Sequence, residues 1–219
     1  TTLLDIAGSS GRVKALEANP VVTQALYPLA TEASIRAAVT ALRPDLGGPG
    51  GTVYLPDGGT SGITLTSPLP VVSGLRYVGV RPRMEQVYPY AKHVGATYSY
   101  SPDDVWNFTG GTWFKGDGTF SCFEGLNVTD LGTVVDDITT TQIVNAAIEN
   151  VGGDGFSYGL RTGAVNQMGM VYGVLDGLFF KNCSAWGVYM SNFLGLTVGQ
   201  VRVAAMIGGH GQRWAADCL

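Results

Sequence analysis

Charge is scarce in this chain: only 14% of its 219 residues are Asp, Glu, Lys or Arg, against roughly 25% in ordinary soluble domains. A fold dominated by exposed helices coated in Lys and Glu is thereby excluded. The 13 Lys and Arg are scattered and the net charge is −4, so no basic stripe offers counterion release and nucleic acid is not an expected partner. Histidine occurs twice and cysteine three times. Cys122, Cys183 and Cys218 are far apart, without the paired spacing of a zinc site or disulfide framework. Buried thiols are expected there, and no metal or other cofactor. No run of about 18 apolar residues escapes interruption by Gly or charge, so membrane insertion is not expected. The opening Thr1-Thr2-Leu3-Leu4 has neither the charged nor the apolar region of a signal peptide, and it lacks an initiator Met. A trimmed chain or a portion of a longer one is expected.

What the chain has in plenty is glycine, 32 residues, together with 10 Pro, the composition of many tight corners. Residues 1–30 carry no sustained period and read as an arm that orders on a partner surface. Thr31 is suited to an N-cap, with Glu32 in the first turn, where a negative charge suits the helix dipole. Ile35, Ala38, Val39 and Leu42 then follow at helical spacing, and Arg43-Pro44 ends the helix. A glycine-rich loop completes residues 31–50. From Thr52 the pattern becomes short β-branched or aromatic strands punctuated by Gly, Pro and Ser.

Repetition appears in the second half. Asn150 is followed five positions later by Gly155, then Phe156 and Tyr158; Asn182 is followed five positions later by Gly187, then Val188 and Met190. A degenerate third copy holds Gln200, Ala205, Met206 and Gly208. Units of this kind cannot bury their own apolar faces, and stacking them makes a continuous core. The spacing of 32 between Asn150 and Asn182 implies a loop between those units, assigned to Gly159–Gly169, with both asparagines at equivalent turns. The expected fold is all-β: residues 51–219 form a right-handed parallel β-helix, its N-terminal end closed by the Thr31–Arg43 helix. No comparable helix closes the other end, so the chain is expected to continue beyond Leu219.

The opening "GGTVYLPDGGTSGITLTSPLPVVSGLRYVGV", following a helix and a glycine-rich loop, resembles pectate-lyase-like right-handed β-helix proteins. "GTWFKGDGTFSCFEGLNV" at Gly111–Val128 is similar to later turns of that superfamily. The resemblance covers residues 31–128 and, more loosely, 141–210. It implies the β-helix fold and a place among polysaccharide-degrading enzymes or bacteriophage tailspikes and tail fibres. It also implies a homotrimer joined to other tail or baseplate proteins, located in the virion and binding host cell-surface glycan.

Within that frame, Arg81–Gly111 is the stretch least like a repeat unit. Its Tyr88, Tyr90 and Trp106 are candidate sugar-stacking residues, with packing of the loop onto the stack as the plainer alternative. Glycoside cleavage needs two carboxylates. Asp154, in Gly152-Gly153-Asp154-Gly155, and Asp176, 22 residues on, are candidates for facing one another across one repeat; turn formation is the competing role. Gly209-His210-Gly211 resembles the Gly-His-Gly motif of polygalacturonases, making His210 a third catalytic candidate, although the Asn-Thr-Asp and Gly-Asp-Asp strings of that family are missing. Three functions follow: a tail fibre or tailspike component that attaches to host polysaccharide, a polysaccharide hydrolase or lyase, and a rigid spacer carrying a distal receptor-binding domain.

Overall fold

In the computed structural model of the chain, described residues are 31–87, 92–94, 97–99, 105–125, 143–162, 169–191, 193–204 and 210–215. Helix α1 (Glu32–Leu42) begins with a capping box. Thr31 Oγ1 accepts the Ser34 backbone N–H at 3.3 Å, and Ser34 Oγ accepts the Thr31 N–H at 3.1 Å. Its apolar stripe, Ile35, Ala38, Val39 and Leu42, is buried. Arg43 leaves the helix in extended conformation before a 3-10 turn at Pro44–Leu46.

The remainder is mostly β, built on parallel sheets. The first sheet is ordered β1 (Gly51–Tyr54), β4 (Leu75–Val78), β12 (Ala147–Glu149), β16 (Val174–Asp176) and β19 (Thr197–Val198). The second is β2 (Ile63–Thr64), β9 (Trp113–Lys115), β13 (Gly152–Asp154), β17 (Leu178–Lys181) and β20 (Val201–Ala204). The third is β3 (Leu69–Val71), β10 (Phe123–Gly125), β14 (Tyr158–Thr162), β18 (Trp186–Ser191) and β21 (His210–Ala215). The chain passes through first, second and third sheet in rotation, and each pass lays its strands in parallel register beside those of the pass before. A small parallel pair, β11 (Ile143–Val144) and β15 (Met170–Val171), lies just ahead of the first-sheet strands of two passes.

Inward-facing side chains form rows across the sheets. Val53, Tyr77, Ile148 and Leu175 line the first, Phe114 and Phe180 the second, and Leu69, Phe123, Leu160 and Val188 the third; all are fully or almost fully buried. Each such side chain contributes about 1.5–3 kcal/mol. Cys122 and Cys183 are buried free thiols within this core, as expected of them. Burial pushes the Cys183 thiol up to about 12.

Corners repeat from pass to pass at positions taken by Gly or Asn. Asn150 (φ 56°) donates its N–H to the Asp176 carbonyl at 2.8 Å, so its counterpart one pass later is Gly177 (φ 63°). Gly155 (φ 73°) donates to Lys181 O at 3.2 Å, and its counterpart is Asn182 (φ 52°). The expected equivalence of Asn150 and Asn182 is therefore corrected. Asn150 turns the chain from first to second sheet and Asn182 from second to third. Both corners demand a left-handed backbone, so both select Asn or Gly, and the shared residue type hid the different places.

The Arg81–Gly111 stretch leaves this pattern. It holds two antiparallel pairs, β5 (Arg83–Val87) with β8 (Val105–Gly110), and β6 (Lys92–Val94) with β7 (Thr97–Ser99). Residues 1–30 and Cys218 lie outside the described residues.

Helix α1 is tied to the turn between β2 and β3. The Glu32 carboxylate accepts the Thr66 N–H at 2.8 Å, the Thr66 hydroxyl at 3.0 Å and Arg36 Nε at 2.8 Å, while Arg36 also donates to Pro68 O at 3.1 Å. Burial alone would raise the Glu32 pKa, but the hydrogen bonds from Thr66 and Arg36 outweigh it and hold the carboxyl below its ordinary value. A carboxyl depressed by folding stabilises fully above its unfolded pKa of about 4.3, and that contribution is lost as pH falls through the folded value. Glu32→Gln is expected to cost about 1 kcal/mol at neutral pH and to flatten the loss of stability on acidification. Urea melts of both proteins at neutral and acid pH measure the two effects.

Candidate functional site

Alternation along a strand should send residues three apart to opposite faces. Tyr158 and Arg161 break that rule: the Arg161 guanidinium lies 5.1 Å from the Tyr158 ring centroid. Gly159 between them explains the exception. A Cβ there would lie 2.2 Å from the Phe180 ring and 2.4 Å from the Gly187 carbonyl. A glycine inserted against the core lets Tyr158 and Arg161 share the outer face of the third sheet while Leu160 and Thr162 stay buried.

The next pass extends this face. Tyr158 is in register with Trp186, and Arg161 with Tyr189. The Tyr158 and Tyr189 rings meet edge to face at 6.1 Å, and Trp186 and Tyr189 lie at 6.3 Å with 59° between their planes. Glu124, in register with Arg161 on β10, holds the guanidinium at 3.5 Å; the two side chains are 27% and 37% exposed. The result is a half-buried patch of three aromatic rings bordered by a loose ion pair. Ring faces of this kind offer flat apolar area, while the phenol, indole N–H, guanidinium and carboxylate offer donors and acceptors at its margin.

His210 belongs to the strand flanking this patch. Its backbone is in register with Trp186, and that of Arg213 with Tyr189. The Gly-His-Gly string is thus a third aromatic-Gly step, after Tyr158-Gly159 and Trp186-Gly187. The side chains of His210 and Arg213 lie outside the described residues.

Asp154 and Asp176 are not brought together. Asp154 lies in the second sheet, in register with Lys115 and Lys181, whereas Asp176 lies in the first, in register with Glu149. Facing across one repeat is therefore ruled out, because their spacing of 22 falls one corner short of a full pass. Asp154 Oδ2 pairs with Lys181 Nζ at 2.9 Å, and Oδ1 accepts Asn182 Nδ2 at 2.7 Å. Asp176 Oδ1 accepts the N–H groups of Gly177 at 2.8 Å and Gln200 at 2.7 Å, which is corner duty.

Lys181 is only 4% exposed because Phe108, from β8, closes over the second sheet. The Phe108 ring stacks on Trp113 at 4.7 Å, meets Phe179 edge-on at 6.0 Å, and lies 5.7 Å from Lys181 Nζ. Gly152 makes room, since a Cβ there would lie 2.6 Å from the Phe108 ring. The Gly152-Gly153-Asp154 string, legible as a turn, is a strand whose first glycine seats an aromatic ring on its outer side.

Tyr88 and Tyr90 lie outside the described residues; Trp106 occupies a strand position opposite Gln86, with its side chain outside them. The patch residues Tyr158, Arg161, Trp186 and Tyr189 were missed as a site because the repeat reading placed Tyr158 in a stacked unit and Arg161 in a loop at Gly159–Gly169, whereas both belong to the single strand Tyr158–Thr162. Their signal was the recurrence of Tyr158-Gly159-Leu160 as Trp186-Gly187-Val188. No group of three or more His, Cys, Asp or Glu suited to a metal occurs among the described residues. Compared with known protein families, curated proteins and solved structures, the chain finds no match.

Removing Asp154 leaves the buried Lys181 ammonium without its carboxylate. Asp154→Ala is expected to cost about 3 kcal/mol. Asp176→Ala, at an exposed carboxylate serving two N–H groups, should cost about 1 kcal/mol. Equal losses in denaturant melts of the two variants would contradict the structural role assigned to the Asp154–Lys181 pair.

Proposed function

We propose that this chain is a host-attachment component of a bacteriophage tail, a tail fibre or tailspike segment that binds cell-surface polysaccharide. Three parallel sheets entered in rotation, with corners repeating from pass to pass, support reading the fold as a right-handed parallel β-helix closed by α1. In this reading the chain works in the virion as a homotrimer among other tail or baseplate proteins.

The observation that carries the binding function is the outer face of the third sheet. Tyr158, Trp186 and Tyr189 are half-buried there, mutually supported at 6.1 and 6.3 Å, and edged by Arg161 and Glu124. Rings braced in this way lose little freedom when a sugar stacks on them, and the rim groups can pair with hydroxyls. Binding is favoured over cleavage because hydrolysis calls for two carboxylates across the scissile bond. Among the described residues this face offers Glu124, already engaged with Arg161. A pure spacer would have no need of three adjoining aromatic rings left partly open to solvent.

The test is titration of purified capsular or lipopolysaccharide glycans from candidate hosts against the full chain and its Tyr158→Ala and Trp186→Ala variants. Each substitution is expected to weaken binding by at least about tenfold, 1.4 kcal/mol, while the melting temperature changes little. A bound glycan held equally well by both variants would overturn this assignment of the site, and new reducing ends or unsaturated products would favour the depolymerase instead.

A further inference from the structure

One corner residue holds a left-handed backbone that its own side chain resists. Among the described residues other than glycine, positive φ occurs at Asn145, Asn150, Asn182 and Tyr172, the last at 52°. Tyr172 stands at the corner between third and first sheets, where Gly74, Asn145, Tyr172 and Gly195 succeed one another from pass to pass. They are linked by N–H bonds from Gly74 to Val144 O at 2.9 Å, from Asn145 to Val171 O at 3.0 Å and from Tyr172 to Leu194 O at 2.8 Å. The ladders impose the turn, and glycine or asparagine takes it readily. A bulky residue kept in this conformation points to a use for its side chain.

The surroundings of the ring say what that use is. It lies over Gly195, one pass on, where a Cβ would come within 2.6 Å of it, so the glycine leaves it a seat on bare backbone. Although braced on that side, the residue is 61% exposed and joins no inward row. Asn145, exposed at the same corner one pass earlier, brings an amide that both donates and accepts. An aromatic face held from below, with an amide beside it, suits a sugar ring: the C–H face stacks and the hydroxyls pair. Gly195, the seat of the ring, is only six residues beyond Tyr189 of the third-sheet patch, at most about 20 Å along the chain. A short run of linked sugars bridges that distance, and a single sugar does not.

We propose that Tyr172 is a second sugar-stacking subsite, and that the ligand is an oligosaccharide long enough to lie across Trp186, Tyr189 and Tyr172 together. The proposal rests on the glycan-binding reading of the third sheet and adds the extent of the ligand, a run of several sugar units rather than one terminal sugar. Tyr172 keeps its unfavourable backbone because the ring so projected meets the far end of the bound glycan.

The probe is the capsular or lipopolysaccharide glycan that the full chain binds, cut by partial acid hydrolysis and fractionated by length. Wild-type affinity should rise with fragment length and level off once both subsites are spanned. Tyr172→Asn should bind the shortest retained fragments as the wild type does and the longest at least tenfold more weakly. Its melting temperature should hold or rise, because Asn takes the left-handed corner more readily. Tyr172→Phe, which keeps the ring, should bind long fragments nearly as well as the wild type, and Trp186→Ala should weaken binding at every length. Four results would overturn the second subsite: long fragments bound equally by wild type and Tyr172→Asn, an equal loss at every length, a Tyr172→Phe variant as weak as Tyr172→Asn, or a Tyr172→Asn variant that loses folding stability. In each of these cases a loss of binding in Trp186→Ala would leave the third-sheet reading standing. Glycan binding that is absent, or indifferent to Trp186→Ala, would overturn both.

Discussion

Backbone hydrogen bonding between successive passes is the constraint on which the rest depends. Each strand of a pass pairs in parallel with the strand before it, and so do the residues at the corners. A corner therefore cannot relax its own geometry without breaking the ladders on both sides. A left-handed conformation at one pass obliges a similar turn at the next, and this is why Gly and Asn recur at corners throughout the chain. The low charge has the same origin. Inward rows accept only apolar side chains, corners accept mostly Gly and Asn, and few positions remain for Lys or Glu.

With the interior and corners committed, differences between the three outer faces are where sequence is free to specialise. The first carries ordinary charge pairs such as Arg76–Glu149 at 2.6 Å. The second is closed by Phe108 and buries an ammonium group beneath it. The third keeps its aromatic rings partly open. In the second and third sheets the local device is a glycine at a place where a side chain would collide, Gly152 on the outer side and Gly159 on the inner. A glycine outside admits a ring from another segment; a glycine inside shifts the alternation and gathers neighbours onto one face.

These devices account for what the sequence revealed and what it concealed. Helix α1 was legible to its cap, because capping and helical spacing are local: Thr31 caps, and Ile35, Ala38, Val39 and Leu42 are buried. The all-β character and parallel sheets were legible from short strands between turn residues. The pass length was not. Asn150 and Asn182 carry the same residue for the same backbone reason at different corners, so a spacing of 32 concealed 27, the distance from Asn150 to Gly177. The pairing of Asp154 with Asp176 failed separately, since it took their spacing of 22 as one repeat, a register that the ladders do not have. The aromatic patch was hidden for a further reason: Tyr158 and Arg161 come together only where Gly159 interrupts alternation, which no period-two reading anticipates.

The same reasoning separates residues that serve the fold from residues that serve something outside it. Asp176, a catalytic candidate by composition, is spent on two backbone N–H groups at a corner, and Asp154 is spent on a buried lysine. Each would be selected in a protein that bound nothing. Trp186 and Tyr189 satisfy no corner and fill no inward row, and Tyr172 occupies a corner that Asn or Gly would serve at lower cost. In a fold where backbone geometry dictates so many residues, a large aromatic side chain kept at a position that geometry does not require is the stronger pointer to a partner.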